Sequence, residues 1–436
     1  MLFRSGTTTA KNQDLVPQLW DTINAFLRWL DAHGYASYDP YDIWGTQYSL
    51  WARRLYYKKG IAGLPLIAPV LLLEIIFPGL RALFVKKERF ATADGQLALA
   101  FLNLYEITHN DEYLEKAIIL CEDLIRSSVP GYSGYCWGYP FDWQNFRGLW
   151  RKNTPYITSV PYCFEAFLKL YEISQVTRYQ EAAASVAKFV FEDLRDTCVS
   201  AESSAASYSP IDTSQVVNAS AYRAFVLFEA AYRLGYHDYE RKAWRNVNFI
   251  LQTQLSDGSW RYAVDHAGEA FIDHFHTCFV LKNLWKINRY LRSDTIDQSI
   301  RRGYTYYRRS LFDANDNPKS FAIEPRTQIV QLDLYNLAEA IQLGALVKED
   351  ISEAFALACK LACRLTEKYQ LSDGHFVTRV YIGGRKHKFP YIRWAQAQIF
   401  YSLTSLLMME TQHRAEDNPK SATDRAAYDS RFIKSF

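Results

Sequence analysis

The chain lacks most of the features that assign a protein quickly. Charge of one sign is missing: 50 Lys and Arg stand against 47 Asp and Glu, and a net charge of +3 leaves no nucleic-acid footprint. The seven cysteines (121, 136, 163, 198, 278, 359, 363) form no CxxC and no zinc pattern. Six of them sit in apolar or aromatic surroundings, as reduced, packed thiols of a cytosolic protein do. GxGxxG, GxxxxGK[ST], HExxH and HxxxH are all absent, and HFH at 274–276 splits its imidazoles between faces of a helix. Neither a metal nor another cofactor is therefore expected. The stretch MLFRSGTTTAKNQD has no apolar signal core, so no export signal is expected and the expected location is the cytoplasm.

What is abundant is aromatic. Phe, Trp and Tyr make up 16% of the chain and hydrophobic residues 49%, enough for a large core or for a cleft whose rings stack on a flat ligand. One apolar run, GIAGLPLIAPVLLLEIIFPGLRALF at 60–84, lies between Lys58, Lys59 and Lys86, Lys87. Pro65, Pro69, Pro78, Glu74 and Arg81 oppose a spanning helix. Two readings stay open: a packed or lid-like element of a soluble domain, and an amphipathic element in contact with a membrane surface, peripheral on the inner membrane.

A pattern recurs. Apolar helices begin near 94, 158, 217, 272, 328 and 392, and LYEI appears both at 104–107 and at 170–173. Between them, 111–127, 177–196, 237–254, 294–311 and 347–369 carry apolar residues at i, i+3, i+4 and i+7 with charge opposite. Helical hairpins thus repeat about every 55–60 residues, longer than common solenoid repeats. The segments 16–33 and 42–57 read as a further pair, and 65–88 as the partner of 94–107. The expected fold is all-α: an (α/α) toroid of six to seven hairpins over residues 1–411, with 60–88 as an apolar insertion and 412–436 as a polar tail. The links into the inner helices are long and the links out of them short, so one rim carries the loops on which sites are built.

Four rim segments hold the candidate residues. DGSWRYAVDHAGEAFIDHFHTC (257–278) brings Asp257 and Trp260 towards Asp273 and His276, which share a face at a helix start. Asp273 as a helix cap is the alternative. GYSGYCWGYPFDWQNFRGLWRKNTPYITS (131–159) offers Trp137, Tyr139, Asp142, Trp143 and Lys152, as a sugar-stacking loop or as a plug over the mouth. SYDPYDIWGTQY (37–48) supplies Asp39, Asp42 and Trp44. HFVTRVYIGGRKHKFPYIRW (375–394) reads as a hairpin around a GG turn carrying His387, Tyr391, Arg393 and Trp394, either solvated or facing an anionic ligand. Arg326 completes the ring of polar residues before inner helices.

YDPYD (38–42), CWGYPFDWQ (136–144) followed by Thr154–Pro155, DGSW (257–260) and IDxFHT (272–277) together resemble the VpsJ-like family of bacterial exopolysaccharide and surface-glycan biosynthesis, over residues from about 20 to 410. That family is similar to the six-hairpin glycosidase superfamily of hydrolases, polysaccharide lyases and sugar epimerases. The resemblance implies a toroid and a glycan-related role; the expected partner is an oligo- or polysaccharide substrate, lipid-linked forms included, and anionic ones where the basic loop at 375–394 faces the mouth. The family's helix start reads IDNFHTG where this chain has IDHFHTC, so His274 and Cys278 depart from it.

Three functions follow. The first is an enzyme that cleaves or modifies a glycan. As a hydrolase it needs two carboxylates, Asp273 and Asp142, with Asp42 and Asp257 as substitutes. As a lyase or uronosyl C5-epimerase it needs a base, His276, Tyr139 or Tyr391, and cations such as Arg393 and Lys152 on the substrate carboxylate. The second is a non-catalytic glycan-binding or scaffold component of an assembly complex. The third, a terpene-cyclase relative, rests on the QxxDGSW-like run at 254–260 alone.

Overall fold

A computed structural model describes residues 15–145, 147–324 and 329–417. Arg326 and residues 418–436 lie outside them. The chain opens with α1 (Leu15–His33), then leaves the ring through α2 (Gln47–Lys59) and α3 (Leu64–Ile76). Five antiparallel pairs follow: α4 (Ala91–Thr108) with α5 (Asp111–Ser127), α6 (Val160–Ser174) with α7 (Thr177–Glu192), α8 (Val217–Leu234) with α9 (Glu240–Thr253), α10 (His274–Leu291) with α11 (Asp294–Ser310), and α12 (Leu334–Leu346) with α13 (Ser352–Tyr369). α14 (Ala397–Asp417) closes the series.

The even-numbered helices from α4 to α14 form the inner ring. Every residue of α8 from Val217 to Ala231 is buried, whereas α11 buries Ile296, Ile300, Gly303, Tyr304 and Tyr307 along one face. A helix packed on both sides must be apolar all round; a helix with one dry side needs only a stripe. Inner helices approach closely where a side chain is missing: a Cβ on Gly95 would lie 2.9 Å from the Cys163 nitrogen of α6. The short links have a common cause. α4, α6, α8 and α10 end on a left-handed residue (His109, Gln175, Gly235, Arg292), which turns the chain directly towards the outer helix.

The sixth hairpin joins the two ends of the chain. α1 packs on α14 through Phe26 and Phe400, with centroids 5.1 Å apart. Thr22 of α1 bonds Thr366 of α13 at 3.1 Å, and Asn103 of α4 bonds Ser405 of α14 at 3.1 Å. The ring therefore closes with six hairpins. The expectation that 42–57 is an inner helix and 65–88 the partner of 94–107 is corrected: both belong to the insertion, and α4 pairs with α5.

The long links carry short strands. β1 (Trp143–Asn145) pairs with β2 (Gly148–Trp150), β3 (Asp196–Ser200) with β4 (Ser203–Ala206), and β5 (Ile272–Asp273) with β6 (Phe321–Ile323). β7 (Val330–Asp333), β8 (Arg379–Tyr381) and β9 (Lys386–His387) form an antiparallel sheet, whose β8–β9 turn uses Gly383 and Gly384 at positive φ. This is the hairpin the GG turn predicts.

A repeated clip explains DGSW. QLSDG occurs at 254–258 and again at 370–374. Gln254 donates to the Gly258 and Ser299 carbonyls, and Gln370 to the Gly374 and Thr22 carbonyls. Gly258 and Gly374 have positive φ and press on the next outer helix, where a Cβ would meet the Arg302 oxygen at 2.4 Å or the Ala25 oxygen at 2.1 Å. Asp257 accepts from the backbone and hydroxyl of Ser259, closing the turn. The Trp260 indole donates to the Ile250 carbonyl, as the Trp137 indole does to Leu124, each at 2.9 Å. Trp260 and Trp137 thus pin loops to outer helices, and Asp257 closes its own turn.

Candidate functional site

The N-termini of the inner helices and the long links converge at one mouth. Asp273 stands at the N-cap position of α10, yet its side chain makes no capping bond. Asp333, in the same position on α12, does cap: it accepts from the Tyr335 nitrogen at 3.0 Å and also binds Arg379 and the Trp394 indole. The Asp273 carboxylate turns instead to His276, with Oδ2 2.7 Å from Nδ1. Asp273 is 2% exposed, while the His276 side chain keeps 17% of its surface open. An Nδ1–H donated to the carboxylate leaves Nε2 as the acceptor, the tautomer assigned from the partner.

Rings surround this dyad. Tyr262 lies 4.5 Å from the imidazole centroid and Phe275 4.2 Å, and Phe275 meets Trp394 edge-on at 5.5 Å. Trp394 stacks on Tyr335 at 4.4 Å. On the other side Tyr139 packs on Tyr156, Phe141 and Trp143, and Trp143 reaches Tyr41. Arg393 joins the two sides. Its guanidinium lies 4.9 Å from the Tyr139 centroid and grips both oxygens of Asp39 at 2.5 and 2.9 Å. Segments 39–41, 139–143, 273–276 and 393–394 therefore share one site.

The rim carboxylates are already engaged. Asp142 accepts from Arg151 at 3.0 Å and from the Lys152 nitrogen at 2.7 Å, bracing the β1–β2 hairpin. Arg147 ties that hairpin to the opposite link through Asp265 and Glu269, at 2.8 and 2.6 Å. Under the dyad, Asn218, Trp260, Tyr262, Thr277 and Val280 help line a cavity of about 10 Å³, which has room for one water at most. The Asn218 amide, which lines the same cavity as His276, is buried with neither its nitrogen nor its oxygen hydrogen-bonded.

Other candidates lie elsewhere. Asp42, His387 and Tyr391 belong to a sealed cluster with Glu74 and Arg81. Arg81 binds Asp42 at 2.8 Å and also pairs with Glu74; the Tyr391 hydroxyl donates to Glu74 at 2.9 Å, and His387 Nε2 donates to the Glu74 carbonyl at 3.1 Å. Burial raises the Asp42 carboxyl to about 6 against the pull of Arg81. Burial, with nearby arginines, lowers His387 to about 3. These side chains, expected as ligand or proton-transfer groups, are buried and bonded to one another. Trp44 faces Arg53 of α2 at 5.2 Å, on the insertion side. His274 is also structural: Tyr307 donates to its Nε2 at 2.7 Å, its Nδ1 lies 3.3 Å from the Leu311 carbonyl, and burial lowers it to about 3.

Sequence reasoning missed Tyr156, Tyr262, Phe275 and Tyr335, the Arg147 bridge, and the Asp333–Arg379 pair. For Phe275 and Tyr335, each the second residue of an inner helix, that position was the available signal.

No family model and no curated protein matches this chain. Solved structures do. The unsaturated glucuronyl hydrolase of Bacillus sp. GL1, described as responsible for glycosaminoglycan degradation, shares 13% identity over 90% of this chain and 96% of its own, with a TM-score of 0.58. A family 76 α-mannanase of Bacteroides thetaiotaomicron shares 10% identity over 87% of this chain and 100% of its own, TM-score 0.57. A sugar epimerase from a ruminal bacterium shares 11% identity over 74% and 88%, TM-score 0.56. At such identities the likeness is one of fold: the chain has the six-hairpin (α/α) ring of these carbohydrate enzymes.

Proposed function

We propose that the chain is a carbohydrate-active enzyme in which His276, oriented by Asp273, moves a proton on a saccharide lying against the ring-lined mouth. The observation that carries this reading is the Asp273 carboxylate, which leaves its helix end uncapped and holds His276 at 2.7 Å. Histidine exchanges its proton near neutral pH, and a carboxylate on Nδ1 fixes the tautomer and favours the imidazolium that forms. The partly exposed rings of Tyr139, Trp143 and Tyr262 supply faces on which a sugar stacks.

The geometry supports proton transfer at a sugar carbon beside a carbonyl or carboxylate better than hydrolysis by paired carboxylates. Asp142 is occupied by Arg151 and a backbone N–H, and Asp39 and Asp333 by arginines. Epimerisation or lyase-type elimination is the favoured class. The resemblance of the four sequence motifs adds the setting: a saccharide of exopolysaccharide or surface-glycan assembly.

The test is turnover in D2O, followed by NMR, on mannose, cellobiose and oligosaccharides ending in a uronic acid. Epimerisation should place solvent deuterium on one sugar carbon, elimination should instead leave a C4=C5 double bond on a uronic-acid end with the solvent proton on the leaving oxygen, and His276→Asn should cut either rate about 10²–10⁴-fold. Release of reducing ends with neither deuterium uptake nor a new double bond, unaffected by His276→Asn and lost in Asp142→Asn, would make the protein a hydrolase. Saccharide binding without any turnover would make it a binding protein.

A further inference from the structure

The insertion is the part of the molecule that the proposed chemistry leaves unused. Ten of the 22 exposed large hydrophobics among the described residues fall between Tyr48 and Phe84. Ile61 at the tip is 86% exposed, and Phe77, Leu83 and Phe84 are 59%, 76% and 60% exposed. Soluble surfaces scatter such residues singly, so a patch this dense marks an interaction surface. Its charge is one-sided. From residue 46 to 87 the basic residues are Arg53, Arg54, Lys58, Lys59, Arg81, Lys86 and Lys87, and Glu74 is the sole acid. Glu74 is buried against Arg81 and Tyr391, and the exposed acid next to this stretch is Glu88, beside Lys87.

By length and composition alone, Gln47–Ile76 could cross a membrane. The geometry points to another arrangement. α2 and α3 have 13 residues each, about 20 Å at helical rise, short of a hydrocarbon core of about 30 Å. The chain folds back between them: a Cβ on Gly63 would lie 2.6 Å from the Tyr56 Cα, and the Tyr48 hydroxyl donates to the Leu66 carbonyl at 2.8 Å. Both ends return to the ring, where Arg81 meets Asp42.

We infer that α2, α3 and the turn after them dock the ring onto an anionic lipid bilayer, lying in its plane. Leu72, Phe77, Leu83 and Phe84 enter the boundary between headgroups and acyl chains, and the lysine pairs at either end engage the headgroups. The Arg81 bonds to Asp42 and to the Asp39 carbonyl fasten this surface to the residue that grips Arg393. The mouth is thereby held at a fixed attitude to the membrane.

The test is cosedimentation of the full chain with vesicles of phosphatidylcholine, alone or mixed with phosphatidylglycerol. Binding to the mixed vesicles should exceed binding to phosphatidylcholine by about tenfold or more and fall steeply with salt. Replacing Lys58, Lys59, Lys86 and Lys87 by Gln should remove that preference, and the triple variant Leu72→Ser/Phe77→Ser/Leu83→Ser should remove binding altogether. Should the triple variant fail to fold, Ile61→Ser at the exposed tip serves instead and should weaken binding several-fold. Absence of binding by the native chain, or binding unchanged in these apolar variants, overturns the inference. So does a lipid-independent dimer that the same substitutions dissolve, because the face would then be covered by a second copy.

Discussion

Two polar clusters sit on the same rim, built from the same residue types, and they differ in what surrounds them. Around Glu74, the cluster of Asp42, Arg81, His387 and Tyr391 is closed: Arg81 and Tyr391 are 0% exposed. Around α10, Asp273 and His276 form a bonded pair with one partner buried and the other open to the mouth. The first arrangement satisfies every charge internally and holds the insertion to the ring. The second leaves an imidazole nitrogen facing outward beside an unsatisfied amide. Residue type at a helix start does not separate the two; the partner of each carboxylate does.

The sharpest way to break this comparison is to exchange the loss expected at each cluster. Arg81→Met should destabilise the fold by about 3–5 kcal/mol, because it strands Asp42 and Glu74 as buried carboxylates without their cation. His276→Asn should change stability by no more than about 1 kcal/mol while removing turnover, because the imidazole is partly exposed. Urea unfolding of both variants decides this. An Arg81→Met protein as stable as the native one would show that the sealed cluster is not an anchor.

A second difference is visible in pH. His387 is held neutral to about pH 3, whereas an unfolded histidine protonates near 6.5. Its folded pKa is depressed, so its contribution is complete above 6.5 and shrinks as the pH falls below that. The stability of the native protein relative to His387→Gln should therefore drop by about 2 kcal/mol between pH 6.5 and 5. His274 shifts in the same direction, and Asp42, Asp94 and Glu229 are raised by burial, to about 6, 7 and 7. These groups oppose or add in both proteins, so the difference between the two isolates His387. A difference independent of pH would mean that His387 meets water.

Much of the ring was legible in sequence. Inner-helix starts expected near 94, 158, 217, 272, 328 and 392 lie close to those found, because a helix buried on both sides writes its pattern locally. The sixth hairpin was not legible, since its halves are the two ends of the chain. The same limit applies to the candidate site. Asp273 and His276 are three residues apart and could be paired from spacing; Asp39 and Arg393 are 354 apart, and nothing local links them. DGSW has a structural part as well, beside the place of Trp260 under the dyad. Its Asp and Trp are conspicuous, but the recurrence of QLSDG at 370–374 was the sign that the motif clips a loop.

That clip gives a smaller test. Gln254 bonds two carbonyls through its nitrogen, and its oxygen accepts from Ser299 and Arg302. Gln254→Ala should cost about 1–2 kcal/mol in urea unfolding and leave turnover unchanged. Loss of turnover without loss of stability would return 254–260 to the candidate site.

The smallest expected effect bears most directly on the chemistry. Asp142 is a rim carboxylate paired with Arg151, whose side chain is 75% exposed. Such a pair contributes about 0–1 kcal/mol, so Asp142→Asn should barely alter unfolding. Its effect on turnover should be equally slight if the carboxylate only braces the β1–β2 hairpin, because an amide can still accept from the Lys152 nitrogen. A large fall in turnover with stability intact would place a second reacting carboxylate at the mouth beside the dyad. Two carboxylates across a glycosidic bond are what hydrolysis requires. The variant with the least expected consequence is therefore the one able to separate carbon-centred proton transfer from bond hydrolysis.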